Sequence, residues 1–349
     1  MRLGLDLGYW RSSADARNLQ LAIRAEELGF DVAWAAEAYG SDAVTVLTWV
    51  AARTTRINVG SSVMQIPART PAMTAMTAAT LDALSGGRFR LGLGLSGPQV
   101  SEGWHGVRYA RPLTRTREYV DIVRLALSRE KVRYEGRTHV LPLPDGPGKA
   151  LHLMVEPVRP HIPLYLAALG ERNLELAGEI ADGWLAFFLS PTHAGEALSR
   201  IGAGRARAGT TLAGFDVVSI TPLVVGDDVI ECGDRIRPRA ALYIGGMGSR
   251  EHNFYLDLAT RMGYGEQARE VQRRYLAGDR EGAARAVPHA FIDETSLLGP
   301  PQRIAERMAA FAAAGVTTLT VAPYAATLDG RLRMLEQAAQ ALAASGAAG

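Results

Sequence analysis

Two hydrophobic periods alternate along this chain. Short, mostly apolar runs recur, and a longer stretch with apolar residues three or four apart follows almost every one. Arg2–Leu7, Val32–Ala36, Ile57–Val63 and Phe89–Leu95 read as four strands, and Leu164–Ala168, Gly183–Phe188, Asp216–Val225 and Thr317–Ala322 as four more. The intervening helices carry their own punctuation. Gly29 stops a helix that runs through Leu19, Ala22, Ile23, Ala25 and Leu28 from a cap at Ser12 or Ser13. Ser41 or Asp42 caps the next, and Thr70-Pro71 pairs a cap with proline at the first helical position. Further helices are expected near Thr116–Leu127, through Leu174 and Ile180, after Ser190-Pro191, over Pro301–Ala314 and over Leu328–Ala343.

Eight strands, each followed by a helix, predict an α/β fold of the (β/α)8 TIM-barrel type, with residues 1–349 as one domain. The strands are apolar throughout, as parallel strands covered on both sides should be. A doubly wound sheet fits less well, because the count reaches eight and no GxGxxG follows the first strand. Two segments break the rhythm. Residues 130–162 are rich in proline and glycine, with a hairpin expected between Val132–Tyr134 and Thr138–Leu141. Residues 227–299 form the largest insertion, charge-rich and helical, between strands seven and eight and therefore expected at the barrel mouth.

Composition narrows the function. Lys+Arg is 38 and Asp+Glu 36, a formal charge of +2 that argues against a nucleic-acid partner bound through a dense phosphate-neutralising surface. The single cysteine, Cys232, excludes an internal disulfide framework and fits a reducing, cytoplasmic setting. No cleavable leader pattern opens the chain, and no apolar run is long enough to predict a membrane span. The seven histidines show neither HxxxH nor His-x-His spacing, so no metal site is expected. GxSxG and Walker signatures are absent as well.

A barrel places its chemistry at the carboxyl ends of its strands. Asp6 ends the first, where a buried charge needs a partner or a purpose. Glu37 ends the second, as a helix cap or as an acid, and Tyr39 follows it, as rim packing or as a substrate contact. Ser61, Ser62 and Val63 end the third, and Ser96-Gly97 the fourth. After the fifth, Ala168-Leu169-Gly170 leads into a helix N-terminus suited to an anion.

The runs AEELGFDVAWAAEAYGSDA, TLDALSGGRFRLGLG and EIADGW resemble the luciferase-like monooxygenase superfamily, and most closely its branch that uses the deazaflavin coenzyme F420. Within that branch the pattern is similar to the methylenetetrahydromethanopterin reductases. The resemblance implies an oxidoreductase that moves a hydride between the deazaflavin C5 and a small organic substrate, with FMN-dependent oxygenation as the alternative, and a homodimer. It implies a bulge at Ser61, Ser62 and Val63 against which the cofactor ring rests, with a non-proline cis peptide at Ser62–Val63, contacts to the cofactor tail from Ser96 and Gly97, and a phosphate held by Ala168, Leu169 and Gly170. Asp6, Glu37 and Tyr39 fall where proton transfer would be served. Ala38 and Pro98 stand where the sugar-phosphate dehydrogenases of the branch have a histidine and a carboxylate, which argues against glucose 6-phosphate. In the insertion, Arg250 is a candidate for the acidic cofactor tail, a role it shares with the plainer one of a solvated arginine.

Overall fold

The computed structural model describes residues 1–10 and 12–348. Eight parallel strands close on themselves: β1 (Arg2–Asp6), β2 (Val32–Ala35), β3 (Asn58–Ser61), β4 (Phe89–Gly94), β5 (Leu164–Ala167), β6 (Gly183–Phe187), β7 (Asp216–Val225) and β8 (Thr318–Pro323). Each pairs with the next in chain order, and β8 pairs back to β1. The helices of the outer ring are α1 (Leu19–Glu27), α2 (Ala43–Ala51), α3 (Pro71–Leu84), α4 (Pro112–Leu127), α5 (Glu171–Ile180), α6 (Ala194–Arg207), α7 (Pro301–Ala313) and α8 (Leu328–Ala344). Asp42 and Thr70 cap α2 and α3, each accepting a hydrogen bond from a first-turn N–H.

Several strands stop one or two residues earlier than expected, and Ala36, Ser62, Val63, Leu95 and Ala168, read as strand residues or just past one, line the mouth instead. The helix placed at Thr116 starts at Pro112, after Arg111 in a left-handed conformation. Residues Pro98–Gly103, read as a turn, form a short helix, and α1 follows a 3-10 segment at Ser13–Asn18. The hairpin forms between Tyr134–Glu135 and Val140–Leu141, with shorter strands than expected. A strand at Leu297–Gly299, not foreseen, pairs with the far end of the ten-residue β7.

Most of the core lies between strands and helices, while a second cluster of Val32, Trp34, Tyr165, Leu185 and Val218 fills the barrel itself. Trp34 meets Tyr165 edge-on at 5.3 Å. The indole fills the space beside β3, and a Cβ on Gly60 would stand 2.3 Å from it, so the strand there has to be glycine. At the amino ends of the strands Arg90 pairs with Asp31 at 2.8 Å, and Arg2 with Asp216 at 3.0 Å.

The surface excursion after α4 is held by one carboxylate. Glu118 accepts from the backbone N–H groups of Arg137 (2.7 Å), Thr138 (2.8 Å) and His139 (3.0 Å) and from the Thr138 hydroxyl. Burial alone would raise its pKa, but these donors hold it down at about 2. A depressed carboxylate stabilises the fold above its unfolded value and ceases to do so as pH falls through the folded one. Glu118→Ala is therefore expected to cost about 2–4 kcal/mol in urea denaturation at neutral pH, with the gap to wild type closing as pH falls from 4.5 towards 2. Equal stabilities at neutral pH would remove Glu118 as the anchor.

Candidate active site

All eight strand ends open into one cleft of about 1160 Å³. One wall is backbone. The peptide Ser62–Val63 is cis, and both residues line the cleft. Ser62 Oγ is buried there with no hydrogen-bond partner. Ser61 does not face the cleft as expected. It is fully buried, its Oγ donates to the Gly92 carbonyl (2.8 Å) and accepts from the Gly92 N–H (2.9 Å), and it thus fastens β3 to β4 behind the wall.

Ser96 and Gly97 line the same side. Ser96 takes a positive φ of 60° and its Oγ accepts from Gln65 Nε2 at 3.0 Å; Gln65 Oε1 in turn lies 2.8 Å from His105 Nε2. Gly97 caps Pro98–Gly103. Beyond it, the Ala168 carbonyl is held by Trp184 Nε1 (2.9 Å) and the Leu169 carbonyl by Arg261 (2.7 Å). Gly170 opens α5 with no side chain capping it, which leaves first-turn N–H groups free beside Arg172 and Arg261, both in the lining. That combination attracts an anion.

The proton-active candidates separate. Asp6 lines the cleft and accepts from the Gly8 N–H at 3.0 Å. Burial pushes its carboxyl pKa up, against the opposing pull of the Arg239 charge and the Gly8 N–H. Glu37 is otherwise engaged: Arg69 forks onto both its oxygens, Ala43 N–H donates to Oε2 (3.2 Å) and Gln65 N–H to Oε1 (3.1 Å). Four donors make it a buried anchor that joins the ends of β2 and β3 to the start of α2, while it also borders the cleft. Tyr39 stands on the rim, 56% exposed, with its hydroxyl 4.0 Å from Met247 Sδ.

The insertion supplies the far wall. Its helical segments run from Val229 to Glu294, and Leu242, Tyr243, Gly246, Met247, Phe254 and Tyr255 reach the cleft. Arg250 does not; it is exposed, outside the lining. The glycines of the Ile244–Arg250 stretch answer to packing, because a Cβ on Gly245 or Gly246 would stand 2.4 or 2.3 Å from Tyr275. Two cations face the cleft from this segment: Arg261, beside the Ala168–Gly170 turn, and Arg239, on the short helix Arg237–Ala241. The Arg239 guanidinium lies 4.5 Å from the Phe187 ring and 5.4 Å from the Tyr243 ring. Tyr243 also stacks edge-on with Tyr255 (4.9 Å), and its hydroxyl is 3.4 Å from that of Tyr9. Arg239 followed four residues later by Tyr243 is the one sequence signal that could have pointed here, since such a spacing puts both on one helix face.

A barrel with a backbone wall, an anion-type helix start and a buried carboxylate around one large mouth belongs to the class that binds a sizeable planar, anionic cofactor beside a substrate. The chain belongs to the luciferase-like monooxygenase family, whose model matches residues 8–318. It is 44% identical over 333 residues, 92% of this chain and 94% of the other, to a Mycobacterium tuberculosis protein named as a coenzyme F420-dependent oxidoreductase. It is 31% identical over 302 residues, 84% of this chain and 85% of the other, to the 5,10-methylenetetrahydromethanopterin reductase of Archaeoglobus fulgidus. Among solved structures, the coenzyme F420-dependent tetrahydromethanopterin reductase of Methanopyrus kandleri superposes with a TM-score of 0.82 at 26% identity, over 97% of both chains. Among the described residues, no helix is long and apolar enough to cross a membrane.

Proposed function

We propose that the protein is a coenzyme F420-dependent oxidoreductase that reduces a C=N or C=C bond of a small organic substrate. The observation that carries this reading is the layout of the cleft. A backbone wall at Ser62–Val63, an uncapped helix start at Gly170 and a buried carboxylate, Asp6, at the end of β1 all border the same mouth. The names of the related proteins point the same way.

The residues present fit a deazaflavin. The orphaned Ser62 Oγ offers a polar contact to a ring edge, and the free N–H groups of α5 with Arg172 and Arg261 suit a phosphodiester tail. When bound, that cofactor supplies a hydride at its C5, two electrons moving together. The chain's own residues do the rest. The Ser62–Val63 wall orients the ring, Ser96 and Gly97 bound the path of the tail, and apolar side chains such as Leu95, Leu113 and Phe254 keep water from the reacting atoms. Asp6, whose carboxyl pKa burial raises, is placed to donate a proton to the substrate atom adjacent to the carbon that is reduced.

Fluorescence titration of the cofactor-free protein with F420 and with FMN tests the assignment. Saturable F420 binding, with FMN at least about tenfold weaker, is expected; tight FMN binding with no response to F420 would assign the cleft to flavin-dependent oxygenation instead.

A further inference from the structure

The cleft has a second cationic pole that cofactor binding does not account for. In the ring of eight strands, β4 and β5 carry the anion-type turn, and the β8–β1 junction lies diametrically opposite. Asp6 ends β1, Tyr324 follows β8, and both act electrostatically on Arg239. Arg239 thus sits among the ends of β6, β8 and β1, and among the described residues it makes no hydrogen bond or ion pair with either the Ser96–Gly97 or the Ala168–Gly170 turn.

Arg239 is an unusual arginine for this protein. Its neighbour Arg237 pairs with Asp234 at 2.6 Å. Arg239 forms no ion pair within 4.0 Å among the described residues. Instead its guanidinium rests on Phe187, Phe188 and Tyr243, at 4.5, 6.0 and 5.4 Å, and its Nη1 is buried with no hydrogen-bond partner. Aromatic faces offset part of the cost of removing a cation from water, but they leave its in-plane N–H donors unfilled. A planar fork of donors beside an apolar cavity matches a carboxylate better than any other common group. A single guanidinium balances the one charge of a carboxylate, whereas a phosphate dianion would keep a second charge to be compensated. The apolar part of the cleft lining, which includes Leu95, Leu113, Ile220 and Phe254, suits a hydrocarbon or aromatic body.

We propose that Arg239 recognises the carboxylate of the substrate, so that the substrate class is amphipathic carboxylic acids with an apolar or aromatic body. This rests on the reading of the cleft as an oxidoreductase site and adds to it the group by which substrate is selected. In that arrangement Arg239 fixes one end of the substrate, and the bond to be reduced falls between it and the Ser62–Val63 wall.

The test uses matched acid and amide probes that differ only in charge: benzoate, cinnamate and 4-phenylbutanoate against benzamide, cinnamamide and 4-phenylbutanamide. Binding is measured by calorimetry at low salt, on the F420-loaded and the cofactor-free protein. At least one acid is expected to bind about tenfold or more tighter than its amide, the scale of a hydrogen bond to a charged group. Arg239→Gln is expected to abolish that preference and Arg239→Lys to keep part of it, with F420 affinity unchanged in both. Circular dichroism melting confirms that each variant is folded; if Arg239→Gln is not, Arg239→Lys against wild type decides. No acid preferred in wild type, or a preference that survives both substitutions, would overturn the proposal. Because F420 is titrated into the same samples, loss of the acid preference with F420 binding intact separates failure of this inference from failure of the cofactor assignment.

Discussion

Asp6→Asn is expected to lower turnover by about 10²-fold or more while leaving F420 affinity at the wild-type level. Asparagine keeps the shape of the side chain and removes the proton that the reaction needs. The same substitution is expected to raise the melting temperature. The carboxyl pKa is raised in the fold, by burial more than the nearby Arg239 charge and the Gly8 N–H lower it. Such a group favours the fold at low pH, and that contribution disappears as pH rises through the folded value. At neutral pH the ionised form is a cost that asparagine does not carry. Activity and stability therefore move in opposite directions, a combination that simple damage to the site would not produce. The pH profile of kcat/KM carries a second signature: wild type loses activity on the alkaline side as Asp6 ionises, and the variant lacks that limb. Unchanged turnover in Asp6→Asn, with a substrate in hand, would shift proton donation to the Tyr9–Tyr243 hydroxyl pair.

Glu37→Ala is expected to fail differently. It strips Arg69, whose side chain is only 18% exposed, of its buried partner and leaves two backbone N–H groups without an acceptor. Breaking a buried pair by removing one member costs about 3–5 kcal/mol. Asp42 still pairs with Arg69 at 2.5 Å, which places the effect at the lower end of that range. Urea denaturation measures the loss. The loop that joins β3 to α3 also carries the Ser62–Val63 wall, so cofactor affinity should fall together with stability. A variant of wild-type stability that lost only turnover would assign to Glu37 the acid role that its position at a strand end implies.

These two carboxylates show how far residue order alone reaches. Both are visible as charges at the ends of apolar strands, and nothing in the local sequence separates them. What does is Arg69, which lies beyond a strand end and a turn and reaches back across the cleft rim. The barrel itself was legible because each parallel strand is buried on both sides and reads as an uninterrupted apolar run. The Ser62–Val63 cis peptide, the Ser96–Gly97 turn and the Ala168–Gly170 turn fell at the expected places. The start of α4 was not legible, since Pro-Leu-Thr-Arg-Thr-Arg is polar enough to pass for a loop and only burial of Thr116, Glu118 and Tyr119 reveals the helix face. Leu297–Gly299 is too short for any period to show. Arg239 was hidden most completely, because its meaning comes from rings at Phe187 and Phe188 far away in sequence.

The division of the cleft between two parts of the chain has a consequence for how its specificity can change. The backbone wall and the anion-type turn come from the first five strand ends, whereas Arg239, Tyr243, Phe254 and Tyr255 all come from the segment between β7 and β8. That segment leaves β7 and returns through Leu297–Gly299, which pairs beside it, so its two ends lie close together on one strand. It is a cassette with adjacent splice points. Relatives could exchange it whole, and an engineer could graft it, to present a new substrate face, provided that Arg261, which holds the Leu169 carbonyl, is kept.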